Sequence, residues 1–140
     1  MTIPEKIKAN AEIVIETLGP VSELPQFGFT RESVDWVEGF IERQRVREDM
    51  TDEEKDRLVN MIGSYLGECI IRTYGGEWCE AQDTWGVRVN EKLTAFPFAK
   101  VQKQYDNGIE GGDSILSFFD GVGPLMKHNE TKTRPWWKFW

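Results

Sequence analysis

The stretch Thr51 to Trp78, TDEEKDRLVNMIGSYLGECIIRTYGGEW, constrains the fold more than any other part of the chain. Thr51 with Glu54 three residues on is the reciprocal capping pair that satisfies free N–H groups at a helix start. Asp52, Glu53, Glu54 and Asp56 then fall in the first turns, where carboxylates interact favourably with the positive end of the helix dipole. At about 100° per residue, Leu58, Val59, Met61, Ile62, Tyr65, Leu66, Cys69 and Ile70 form a broad apolar arc, flanked by Gly63, Gly67 and Tyr74. An arc this wide requires neighbours on several sides. Gly63 and Gly67 each cost about 1 kcal/mol relative to Ala in a helix interior, a cost that close approach of another backbone is expected to offset. The remaining strip carries Arg57, Asn60, Ser64, Glu68 and Arg72, with Glu68 and Arg72 in the favourable i,i+4 order. Gly75 and Gly76 end the helix.

The flanking segments can be read as elements packed on this one. Ile7, Ala11, Val14, Ile15 and Leu18 recur at helical spacing from Pro4 to Leu18, and Gly19-Pro20 is expected to stop that helix. Leu24, Phe27 and Phe29 pack the loop that follows. Thr30 caps a second helix reaching to about Arg47, with Val34, Trp36, Val37, Phe40 and Ile41 as its apolar stripe. Beyond the central helix the period changes to two, and Trp78–Ala81, Trp85–Val89 and Leu93–Phe98 predict a three-stranded antiparallel meander. Phe98 to Tyr105 predicts a short helix stopped by Asn107-Gly108. Asp113 then caps a last helix built on Ile115, Leu116, Phe118 and Phe119 and ended by Gly121 to Pro124. The expected fold class is α+β, with helices packed around a long central helix and a small three-stranded antiparallel sheet. Residues 1–124 form a single domain in this reading, and 125–140 a basic aromatic C-terminal tail.

A chain of 140 residues can bury roughly two-thirds of its unfolded surface in one domain without disulfides. Six Trp residues argue against disorder. The opening MTIPEKIKANAE is too polar for a signal peptide, and no apolar run approaches the roughly 20 residues of a membrane span, so a cytoplasmic location is expected. Cys69 and Cys79 show no zinc spacing and read as buried reduced thiols. The net charge of −7 disfavours sequence-independent nucleic-acid binding and favours a basic partner, or merely serves solubility. The charge is uneven: Met1 to Pro124 carries 13 basic and 23 acidic residues, whereas Leu125 to Trp140 carries four basic and one acidic. In that tail Lys127, Lys132, Arg134 and Lys138 interleave with Trp136, Trp137, Phe139 and Trp140. Such a segment is expected to dock on the body or on a second copy, giving a homo-oligomer, with a partner protein or a lipid interface as alternatives.

No catalytic, cofactor or metal-ligating signature is present. The single histidine, His128, lies in the tail, which removes a His-dependent triad seated in the core. Gly108, Gly111 and Gly112 precede a helix start but match neither GxxxxGK[ST] nor GxGxxG, so capping by Asp113 is the expected role of that loop. Asp35, Glu38 and Glu42 are expected to project from the second helix as an acidic ridge able to contact a basic protein. The plain alternative is a solvated face partly neutralised by Arg45. Among the carboxylates near Trp78, Glu68 is the one expected to be partly buried.

The strings YLGE (Tyr65 to Glu68), GGEW (Gly75 to Trp78), FPFAKVQK (Phe96 to Lys103) and DS (Asp113, Ser114) resemble a pattern in small uncharacterised bacterial proteins classified as a domain of unknown function. The resemblance covers about Leu58 to Phe119. It implies a bacterial, cytosolic α+β domain in which Gly67, Glu68, Trp78, Phe98 and Lys100 merit testing, and it attaches no activity to them. Two functional expectations follow. One is a non-enzymatic protein-binding module, most concretely an immunity-type inhibitor that lays its acidic ridge on a basic toxin. The other is a small-molecule binder or carboxylate-dependent enzyme with Glu68, Trp78 and Lys100 around a pocket between the central helix and the sheet.

Overall fold

The structure, a computed structural model, describes residues 1–132, with side chains as far as Leu125. The cationic and aromatic side chains of the tail, and with them its expected docking, lie outside the described residues. In chain order the elements are α1 (Ile3–Ser22), α2 (Arg31–Arg45), α3 (Asp52–Tyr74), β1 (Glu77–Ala81), β2 (Thr84–Arg88), β3 (Thr94–Ala95), α4 (Pro97–Asn107) and α5 (Ile115–Lys132). The fold is α+β, as the alternation of periods predicts.

The central helix starts where its capping residues place it, with Thr51 Oγ1 accepting from the Glu54 N–H at 3.1 Å. Every residue from Ile62 to Ile70 is buried. The two glycines on this helix are notches. A Cβ at Gly67 would fall inside the indole of Trp78, and one at Gly63 would fall on the ring of Phe98 and 3.0 Å from the Phe98 Cα. The expected partner was a backbone; what fills the notches is mainly a pair of aromatic rings, with centroids 5.7 Å apart. Tyr65 extends the packing on another side, stacked on Phe27 and Phe29 at centroid distances of 6.0 and 5.7 Å. Its hydroxyl donates to the Gly28 carbonyl at 2.7 Å, which fastens the α1–α2 connection to α3.

The three strands form an antiparallel sheet in the order β1-β2-β3. Trp78 pairs with Val87, and both face the core. The β1–β2 turn places Gln82 and Asp83 at φ 54° and 62°, the doubly left-handed conformation that matches strand twist in two-residue hairpins. From β3 the chain enters α4, which runs antiparallel to α3. Its last turn lies over the start of α3, where Lys55 Nζ meets Asp106 at 2.9 Å and sits 5.1 Å from the Tyr105 ring centre. The next helix, α5, returns in the direction of α3 and reaches its end, with Phe119 5.3 Å from Tyr74 between ring centres.

Two helices run further than the sequence reading allows. α1 continues through Gly19-Pro20 to Ser22, whose hydroxyl donates to the Gly19 carbonyl at 2.7 Å and accepts from the Leu24 N–H at 3.1 Å. α5 continues through Gly121–Pro124, so the expected boundary between residues 124 and 125 falls inside a helix. An interior proline removes one N–H and crowds one carbonyl, and in both places the helix absorbs that local loss.

The notches make a prediction of sign. Helix propensity alone has Gly67→Ala stabilising by about 1 kcal/mol, whereas overpacking against Trp78 should destabilise by about 1–3 kcal/mol. At Gly121 the same substitution meets nothing within 4 Å, so Gly121→Ala should stabilise by about 0.5–1 kcal/mol. Urea-unfolding midpoints of the two variants should move in opposite directions.

Candidate functional site

The three carboxylates expected to form a ridge on α2 do not share one environment. Asp35 is exposed, but Glu38 retains only 9 % of its surface and is turned inward. Its Oε1 accepts from the Leu116 N–H at 3.2 Å and from the Ser114 hydroxyl. Glu42 Oε1 accepts from the Ile109 N–H at 3.2 Å. Between them lies the buried amide of Gln104, donating from Nε2 to the Glu38 carbonyl and to Glu42 Oε2, both at 3.1 Å, while its Oε1 accepts from the Ile115 N–H at 2.9 Å. The acidic ridge is therefore corrected to a set of internal acceptors. The cause is the α5 terminus, whose free N–H groups and positive dipole end need acceptors when water is excluded.

The glycine loop takes its role from the same network. Ser114, and not Asp113, is the cap of α5, its Oγ accepting from the Ser117 N–H at 3.0 Å. Asp113 instead binds Lys100 Nζ and Asn107 Nδ2, each at 2.9 Å. The anion at this helix start is Glu38 itself. Arg45 does not neutralise a ridge either; it donates to the Tyr105 and Asp106 carbonyls at 3.0 and 3.2 Å, closing the end of α4.

The expected pocket at Glu68, Trp78 and Lys100 is likewise occupied by the protein's own side chains. Glu68, 2 % exposed, accepts from Trp78 Nε1 at 2.8 Å and from Arg72 Nη2 at 3.4 Å. Arg72 also reaches Glu12 on α1 at 3.3 Å and lies 3.7 Å from the ring centre of Phe29. Glu68 and Trp78 thus come together, but the indole fills the notch above Gly67, and Lys100 is paired elsewhere with Asp113. Burial pushes the Cys69 thiol up to about 12, chiefly by desolvation, which holds it protonated and unreactive.

The open surface lies at the other end of α3. A cavity of about 530 Å³ runs between α1 and the first half of α3, with Ile13, Leu18, Phe40, Met50, Leu58 and Met61 among its lining residues. Glu54 and Arg57, both exposed, border it. Asp52, Glu53 and Asp56 stand exposed on the same turns of α3. Ile13 keeps 45 % of its surface in solvent, so the α1 wall of the groove is open. Sequence reasoning missed this site. Its one signal was the breadth of the apolar arc on α3, whose members Leu58 and Met61 are only half covered. Among the described residues no group of three His, Cys, Asp or Glu is placed to hold a metal ion, and no helix is long and apolar enough to cross a membrane.

Two outcomes test these assignments. Glu38→Ala leaves the Leu116 N–H and the Ser114 hydroxyl without their charged acceptor and should cost about 2–3 kcal/mol, whereas Asp35→Ala should stay within about 0.5 kcal/mol, both read by chemical denaturation. The second concerns pH. Lys100, and after it Asn107, holds the Asp113 carboxyl below its ordinary value. A depressed folded-state value means the pair stabilises above the unfolded carboxylate range and loses that contribution as pH falls through the folded value. Between about pH 5 and about pH 2, Lys100→Met should therefore lose less stability than the wild type. No family model, curated protein or solved structure matches the chain.

Proposed function

We propose that the chain is a non-enzymatic protein-binding module whose contact surface is the α1–α3 groove together with the acidic first turns of α3. The groove carries this reading. Its apolar floor gains by removing aliphatic or aromatic surface from water, at about 25 cal/mol per Å². The carboxylates beside it, on a body of negative net charge, favour and accelerate encounter with a cationic partner. The most concrete form of the role is an immunity-type inhibitor of a basic toxin, engaged through the groove and not through the carboxylates of α2. The buried titratable groups support a binding role over a catalytic one, because Glu38, Glu68 and Tyr65 are all bonded within the fold.

A second reading places a small apolar ligand in the same groove, whose volume lies within the range of small-molecule sites. Arg57 would meet an acidic headgroup there. A fluorescein-labelled peptide of alternating Lys and Trp, titrated by anisotropy, separates the two. Protein binding predicts an affinity that falls with salt, weakens about tenfold or more in Leu58→Glu and is unchanged in Asp35→Ala. Binding indifferent to Leu58→Glu overturns the reading. Failure to bind the peptide, together with thermal stabilisation by lauric acid that Arg57→Met abolishes, assigns the groove to a small ligand.

A further inference from the structure

A second cavity, of about 350 Å³, opens between the start of α1, the outer face of α3 and the β1–β2 hairpin. Asn60 lies about 200° around α3 from Leu58, and Val59 about 200° from Met61, so this cavity and the groove face opposite ways and share no lining residue. We propose that it binds a small primary amine with an aromatic body. The inference stands apart from the groove reading.

The walls favour a flat apolar body. They are formed by Ile3 and Ile7 of α1, Val59 of α3, Trp85 of β2 and Phe98 of α4. Ile3 keeps 45 % of its surface in solvent, and Trp85 and Phe98 are only half covered. Phe98 is seated against Gly63 and Trp85 is held in the hairpin register opposite Glu80, so both rings are in position before a ligand arrives. A ring laid against them removes apolar surface from water and gains ring–ring contact. The volume lies at the lower end of small-molecule sites, which suits one ring on a short stem.

The polar rim sets the charge. Asp56 and Asn60, one turn apart on α3, and Thr84 at the start of β2 are exposed on it. Among the described residues none of these three side chains has a hydrogen-bond or ion-pair partner, while the basic residues of the same turns are engaged elsewhere, Lys55 with Asp106 at 2.9 Å and Arg57 with Glu53 at 3.7 Å. No Lys or Arg is among the described residues that line the cavity. Glu80, exposed and directly opposite Trp85, adds a second carboxylate beside the indole, and the negative faces of the rings act in the same sense. An ammonium carries three donors; the Asp56 carboxylate, the Asn60 amide oxygen and the Thr84 hydroxyl are acceptors for them. A neutral alcohol can donate to Asp56 but desolvates it without neutralising it, and an anionic ligand is repelled.

The test titrates full-length protein with phenethylamine, phenethyl alcohol and phenylacetate, which share a ring and a short stem and differ in charge, and follows amide chemical shifts. Phenethylamine should bind saturably at or below about 1 mM and phenethyl alcohol about tenfold more weakly, phenylacetate should not bind, and the shifts should concentrate at Asn60, Thr84 and Trp85. Asp56→Asn should weaken phenethylamine to the level of the alcohol, whereas Asp35→Ala, which removes the same charge from α2, should leave its affinity unchanged. Both positions are exposed, so both variants should keep the wild-type circular dichroism spectrum. Equal affinity for amine and alcohol, binding indifferent to Asp56→Asn, or no binding of phenethylamine overturns the proposal. Capped lysine amide bound as tightly as phenethylamine also overturns it and assigns the cavity to a lysine side chain of a protein. Shifts at Leu58 and Met61 in place of Asn60 and Thr84 overturn it too, by moving the amine to the groove.

Discussion

The indole of Trp78 lies in the notch at Gly67 and donates its N–H to Glu68 one residue away on the same helix, at 2.8 Å. This contact joins the sheet to the central helix, and the arrangement of the other elements follows from it. An aromatic ring of this size gains its full burial only where no Cβ intervenes, which requires the glycine. A carboxylate at 2 % exposure is tolerated only with donors on it, which requires the indole N–H and the Arg72 guanidinium. Arg72 is in turn held by Glu12 of α1 and by the face of Phe29. One line of contacts thus runs from α1 through α3 to β1, and an isolated deletion in it leaves a buried group without its partner.

A second line joins the helices that do not contact the sheet in this way. Glu38 and Glu42 of α2, Gln104 of α4 and the first N–H groups of α5 satisfy one another, and Gln104 uses both ends of its amide. The chemistry needed for catalysis or anion binding is present across the two lines, carboxylates in both and a helix start and a glycine loop in the second. The fold consumes it. The apolar groove at the start of α3 is different in kind, because Leu58 and Met61 are half covered there and the carboxylates beside the groove point to solvent.

Local signals in the sequence were legible to the extent that they act locally. The Thr51 cap, the span of α3, the first two strand segments and the stop at Asn107-Gly108 depend on neighbours a few residues apart, and the structure has them in place, whereas the expected third strand Leu93–Phe98 shrinks to Thr94–Ala95 because Pro97 already opens α4. Glu38 was misread because a like-charge i,i+4 pair with Glu42 looks like a solvated face, while the donors that draw both inward lie more than 60 residues away. Glu68 could be singled out as the carboxylate bordering an apolar arc, but not its bond to Trp78, which depends on how β1 folds back. Pro20 and Pro124 were overweighted as helix stops, since their penalty is one hydrogen bond and some crowding against a whole packed face. The groove left almost no trace, because it is defined by where side chains are missing.

Native-state hydrogen exchange across Ile62 to Ile70 tests the account most directly, because those nine residues are enclosed on all sides only if the Trp78, Phe98 and Tyr65 contacts form together. Their amides should exchange only through global unfolding, with opening free energies equal to the stability measured by denaturant. Exchange of these amides through local opening, at free energies well below the global value while α1 or α2 stays protected, would contradict it.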